Sequence, residues 1–277
     1  MSVDLSRALG LHNVSRVGLR TTPLALAVCQ LRFSPVLSVA RAEFVASFQA
    51  ALADRYPLVA QIDEIQVQVT GGTEGPVPQP RRSPQWQLSD LEDRWKVVLA
   101  QDFCAVETRA YDDFSEFLSR LREVAEALLE HIQPRLETRL GLRYVNEIRE
   151  PPYDWPRVVR SELLGPLADA ELVVGAEQVQ SHGQMVLGYP EGLGIGIRYG
   201  LLPDGTTVQP GKGAEPPSGA FFLLDFDAYQ EFAGSTGLFA DPERVLKRVS
   251  EFHAAIYKLF RWAVTEEYIS TLGAEAE

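Results

Sequence analysis

The chain has 277 residues, of which 45% are hydrophobic and 23% charged, a balance that excludes the disordered, collagen-like and membrane-spanning classes. Lys plus Arg number 26 against 38 Asp plus Glu, a net charge of -12, which is the wrong field for a protein that must neutralise phosphates, so nucleic acid is disfavoured as a partner.

The first 22 residues are of mixed polarity, lack the continuous apolar core of a secretory signal, and predict an extended arm. Leu24–Phe33 then reads as a strand closed by Ser34-Pro35. A helix is predicted over about Val39–Arg55, with Phe44, Val45, Phe48 and Leu52 at the helical period, Ser38 as its N-cap and Pro57 as its stop. From Ile62 to Val69 the alternation of Ile65, Val67 and Val69 with Gln66 and Gln68 predicts a half-buried strand. Gly71–Gln85, crowded with Gly and Pro, reads as a mobile surface loop. Short antiparallel strands follow at Gln85–Leu88, Trp95–Ala100 and Phe103–Ala110. Asp113 caps a long helix with Glu116 at the capping-box position, and its apolar stripe runs from Phe114 to Ile132 before Pro134.

The pattern then begins again. Leu140–Ile148 is a strand, Val158–Leu164 a short helix, and Glu171–Gln180, Gln184–Tyr189 and Gly194–Leu201 are strands. Pro203–Gly219 is a second loop and Phe221–Phe226 a strand. Asp241-Pro242 opens a final amphipathic helix with Val245, Val249, Phe252, Ile256 and Leu259 on one side. Cys29 and Cys104 each sit in an apolar strand and read as free, buried thiols. With four scattered histidines, they offer no zinc-ligand spacing.

The expected organisation is therefore an arm (1–22), a first α+β half (23–135), a second α+β half (136–272) and a disordered tail (273–277). Each long helix needs a sheet against its apolar stripe, and each alternating strand supplies an apolar face. Two such halves make a curved, mostly antiparallel sheet with long helices packed on one face, as in a TATA-binding-protein-like or tandem ferredoxin-like arrangement.

Candidate sites are few. Asp225 and Asp227 lie two apart on a strand and so share a face, where they could hold a divalent metal or serve acid/base chemistry; the plainer reading is a solvated outer face. On Gly141–Arg149, Arg143, Glu147 and Arg149 share one face while Asn146 lies on the other among apolar residues. They form either a polar recognition strip or structural cross-strand pairs. Gly192–Gly200 carries glycines at period two within a strand, a packing feature and not a dinucleotide fingerprint. A saddle-like nucleic-acid surface would need Arg139, Arg143, Arg149 and Arg198 clustered together.

The blocks Pro23–Phe33 (PLALAVCQLRF), Leu140–Ile148 (LGLRYVNEI), Leu223–Tyr229 (LLDFDAY) and the final helix resemble a sporadically distributed bacterial family of uncharacterised proteins with similar "LRF", "RYxN" and "LDxD" blocks. The resemblance implies a shared fold and a role alongside mobile or defence-associated genes; it carries no catalytic residue and no substrate.

Every enzyme template fails at its second residue, so the expectation is a cytoplasmic, non-enzymatic protein-binding or assembly module without a cofactor. Its partner would be another protein or further copies of itself, with no membrane. The candidate binding residues are Arg143, Asn146, Glu147, Arg149 and Arg198, and the alternatives to the module are a nucleic-acid-binding saddle and a metal-dependent enzyme using Asp225 and Asp227.

Overall fold

The structure is a computed structural model that describes residues 4–11, 17–72, 75–150, 154–165, 179–207, 217–233, 241–273 and 275–276. Nine strands form one open antiparallel sheet, giving the α+β class that the alternating sequence predicts. They are β2 (Leu24–Phe33), β3 (Leu58–Gly72), β4 (Gly75–Ser89), β5 (Trp95–Leu99), β6 (Phe103–Thr108), β7 (Glu137–Ile148), β8 (Gly183–Gly188), β9 (Leu193–Leu202) and β10 (Phe221–Glu231). Their order is β3-β4-β5-β6-β2-β7-β10-β9-β8. The chain divides into two compact units that are not serial halves: one comprises residues 1–27, 141–230 and 248–277, the other residues 28–140 and 231–247.

In the unit built around residues 28–140, the registers Leu88↔Val97↔Val106 and Trp86↔Leu99↔Cys104 place these side chains on one face. Helices α2 (Ala42–Leu52) and α3 (Phe114–Ala127) belong to this unit. The Phe117 ring of α3 lies 5.9 Å from Trp95, and the Arg120 guanidinium sits 4.3 Å above the Trp95 ring. Asp113 caps α3 as predicted, its side chain accepting from the Ser115 and Glu116 backbone N–H groups. The helix ends in a π turn over Leu128–Ile132, closed by Gln133 at φ 54°. Helix α2 departs from expectation: Leu37–Ala40 forms a 3-10 turn, the N-cap is Arg41, and Ser38 makes no cap.

The segment Gly71–Gln85 is not a loop. β3 and β4 pair without a break from Leu58↔Ser89 to Gly72↔Gly75. Pro76, Pro78, Pro80 and Pro84 all fall at even positions of β4. Period two puts every missing donor on a single edge of the strand, and the intervening residues remain able to pair with β3. The ladder with β5 involves only Trp86–Ser89, beyond the last proline.

Helix α6 (Pro242–Ala263) begins in the unit built around residues 28–140, under an Asp241 cap that accepts from the Arg244 N–H at 2.8 Å. From Arg248 onward it belongs to the other unit, where His253 shares a 3.1 Å hydrogen bond with the Tyr144 hydroxyl of β7. The short helix predicted over Val158–Leu164 is two pieces, α4 (Trp155–Val158) and α5 (Ser161–Leu164); Trp155 lies 5.8 Å from Phe222. Two further elements were not expected. Helix α1 (Leu5–Ala8) buries Leu5 and takes a 2.9 Å hydrogen bond from Lys258 on the Ser6 carbonyl. Strand β1 (Val17–Gly18) pairs with β11 (Glu275–Ala276), so those residues of the expected disordered tail form a ladder. Helix α7 (Glu266–Thr271) follows α6 under a Thr265 cap. The predicted strand Glu171–Gln180 lies almost wholly outside the described residues, as does the middle of Pro203–Gly219.

Candidate functional site

The polar strip foreseen on β7 is assembled by three strands of one unit. The β10–β9 register sets Asp225 opposite Arg198, Asp227 opposite Gly196, and Tyr229 opposite Gly194. Arg143 of β7 reaches Asp225 from the other side. The central carboxylate is only 3% exposed, and both of its oxygens are occupied. Oδ1 accepts from Arg143 Nε at 2.8 Å; Oδ2 accepts from Arg143 Nη2 at 2.7 Å and from Arg198 Nη1 at 3.2 Å. This is a fork-to-fork pair with a second guanidinium added, the arrangement that burial of a carboxylate demands. Hydrogen bonding to Asp225 raises the pKa of the Arg143 guanidinium against the opposing effect of burial, with the charges of Asp225 and Asp227 adding to the rise. The two cations themselves keep 39% and 43% of their side-chain surface exposed. Beside them, an added Cβ at Gly196 would meet nothing closer than 3.8 Å, whereas one at Gly194 would strike the Tyr229 ring at 2.4 Å. Tyr229 thus covers one glycine of the period-two run and leaves the next as open floor.

Two other predicted site residues do different work. Arg149 donates to Glu147 at 2.8 Å and to the Gly219 and Thr206 carbonyls at 2.5 and 2.9 Å, and stands 4.3 Å over the Phe221 ring. Glu147 also accepts from the Thr207 hydroxyl at 2.7 Å. Glu147 and Arg149 are therefore a clamp on the ends of the segment joining β9 to β10. Asn146 is buried on the opposite side of β7 and donates to the Leu224 carbonyl at 3.1 Å, which satisfies an amide surrounded by apolar neighbours.

The charge pairing bears on each sequence-based alternative. A phosphate-binding saddle needs cations with charge to spare, but Arg143, Arg149 and Arg198 each face a carboxylate. A metal centre needs open carboxylate lone pairs, and those of Asp225 are engaged by guanidiniums. Among the described residues no group of three or more Asp, Glu, His or Cys side chains converges to hold a metal ion. Among them too, no helix is long and apolar enough to cross a membrane.

Sequence reasoning placed Asp225 and Arg198 in separate hypotheses. Opposite charges on strands that prove to be neighbours were the signal that could have joined them. It missed Thr206, Thr207 and Gly219 altogether, because nothing local marks a loop residue as the partner of a strand distant in sequence. It predicted strands over Ile62–Val69 and Gln184–Tyr189 but not that they stand at the ends of the sheet. β3 and β8 end the sheet order, and they carry Leu58, Val59, Ile62, Met185 and Val186, five of the nine large hydrophobic side chains that stand exposed among the described residues. Val186 is 57% exposed. β8 contains no charged residue, although charge is the usual device for blocking an edge.

No known family model matches the chain, and no curated protein matches it significantly.

Proposed function

We propose that this protein is a non-enzymatic binding or assembly module that engages another protein through the outer strands of its sheet. The observation that carries the reading is the concentration of exposed apolar side chains on β3 and β8, the two strands of the nine-stranded sheet that have a neighbour on one side only among the described residues. An edge strand offers unpaired N–H and C=O groups, and an incoming strand gains main-chain hydrogen bonds while covering apolar surface. Both contributions are available here without rearranging the core. Two free, fully buried cysteines suit a reducing, cytoplasmic setting. The "LRF", "RYxN" and "LDxD" blocks would place the module in a bacterial system alongside mobile or defence genes.

The test compares the tagged wild-type protein, purified from its native host, with Val59→Lys and Val186→Lys. Each replacement adds a charge to an exposed edge position, where the effect on stability stays within about 0.5 kcal/mol. The wild type should retain a stoichiometric protein partner or form a defined oligomer, and at least one variant should lose it with its melting temperature unchanged. A wild type that is a lone monomer with no partner, or two variants that both keep theirs, would overturn the reading.

A further inference from the structure

We infer that the exposed guanidiniums of Arg143 and Arg198, fixed by the buried Asp225, form a receptor for a carboxylate on an acidic side chain of the protein partner. The inference rests on the binding reading above and names what that partner must carry.

Three features lead to it. The first is preorganisation: an isolated surface arginine is mobile, but here a carboxylate with 3% exposure anchors both cations through three hydrogen bonds, so less side-chain freedom remains to be lost when a ligand docks. The second is unused capacity. Arg143 spends Nε and one N–H of Nη2 on Asp225, and Arg198 spends one N–H of Nη1; with five N–H groups per guanidinium, donors remain on both side chains, which are 39% and 43% exposed. The third is access. Gly196 shares a face of β9 with Arg198 and has no side chain to stand above the sheet.

Charge then selects the ligand. Arg143 and Arg198 stand against Asp225 and Asp227, two cations to two anions, and Asp227 is close enough to act on Arg143. A patch with no excess charge gives a phosphate dianion little Coulombic attraction. A singly charged carboxylate still gains directed, charge-assisted hydrogen bonds from the planar forks.

The test uses the full chain with its arginine Nε–Hε resonances as the readout. It is titrated with a capped octapeptide of alternating threonine and glutamate, the same peptide with glutamine for glutamate, and inorganic phosphate. The glutamate peptide should shift the Arg143 and Arg198 signals, while the glutamine peptide and phosphate should not. Arg198→Gln, which leaves the Arg143–Asp225 fork in place, should weaken the glutamate peptide about ten-fold or more, the range for one charge-assisted contact. Equal binding of the two peptides, no shift with either, tighter binding of phosphate, or an unchanged affinity in Arg198→Gln would each overturn the proposal. Because Val59 lies on β3, away from this cluster, whereas Val186 pairs with Gly196 beside it, a failure here together with loss of the native partner in Val59→Lys would sink the receptor and spare the module.

Discussion

Asp225→Asn is the sharpest perturbation of the polar face. The substitution keeps the side-chain shape, removes the charge, and replaces one acceptor oxygen with an NH2 group that must face a guanidinium. Three charge-assisted hydrogen bonds, at 2.8, 2.7 and 3.2 Å, lose their anionic acceptor. Fully buried bonds of this kind contribute about 1.5–3 kcal/mol each. The donors here are 39% and 43% exposed, so water recovers much of the loss for both cations, and screening discounts it further. The expected destabilisation is about 2–3 kcal/mol, which at about 2–4 °C per kcal/mol for a chain of this size lowers the melting temperature by about 4–12 °C. Arg198→Gln removes only the longest of the three bonds and should cost less than about 1 kcal/mol. Urea unfolding of the wild type and both variants, monitored by far-UV circular dichroism, gives the two differences. If Asp225→Asn lies within about 0.5 kcal/mol of the wild type, or Arg198→Gln is equally damaging, Asp225 is not the anchor described.

Burial pushes the carboxyls of Glu107 and Glu137 above their ordinary value of 4.5, against the lowering effects of Lys96 and Arg109 on the first and Arg244 on the second. The folded chain thus holds these protons more tightly than the unfolded chain, and the stability they contribute is fully present below pH 4.5 and is lost as pH rises through the raised values. Denaturation series from about pH 4.5 to neutrality should show that Glu107→Gln and Glu137→Gln each make stability fall less steeply with pH than in the wild type; an unchanged slope in both would refute the assignment. Burial also pushes the Cys104 thiol up to about 12 and the Cys29 thiol higher still. Neither should be alkylated by iodoacetamide in the folded protein at pH 8, and both should react after unfolding, as read by intact mass; native labelling of either would contradict their burial.

What could be read in advance followed the range of the forces involved. The Asp113 cap and the stripe from Phe117 to Leu128 are local matters of spacing and hydrogen bonding, and α3 begins where they say. The alternation of Cys29, Leu31 and Phe33 with Gln30 and Arg32 likewise reports a strand with one buried face. The segment Gly71–Gln85 misled because proline was judged by its abundance. Its period was the informative quantity, since four prolines at even positions spare the pairing edge of β4. Ser38 misled in the opposite way: a good capping residue stands beside a helical pattern, yet the chain turns once through Leu37–Ala40 and begins α2 a few residues later. The Arg143–Asp225–Arg198 cluster could be read as residue types and faces but not as a unit, because strand order is set by the packing of the whole sheet. Nothing in the local sequence reveals that β10 runs between β7 and β9.

That placement of β10 decides the character of the surface. Were Arg143 and Arg198 to face one another across a neutral residue, the strip would carry unmatched positive charge and would collect polyanions without discrimination. Asp225 between them cancels part of that charge while holding both forks still. It costs long-range attraction and leaves short-range geometry, which rewards a planar carboxylate at the right height more than any diffuse anion. An acidic chain of net charge -12 that meets an acidic segment must do so against its own field, and contacts of short range are the kind that can prevail there. Under the proposed reading, the apolar side chains of β8, in the same unit as the cluster, would supply further attraction, because burying them against a partner does not depend on charge at all.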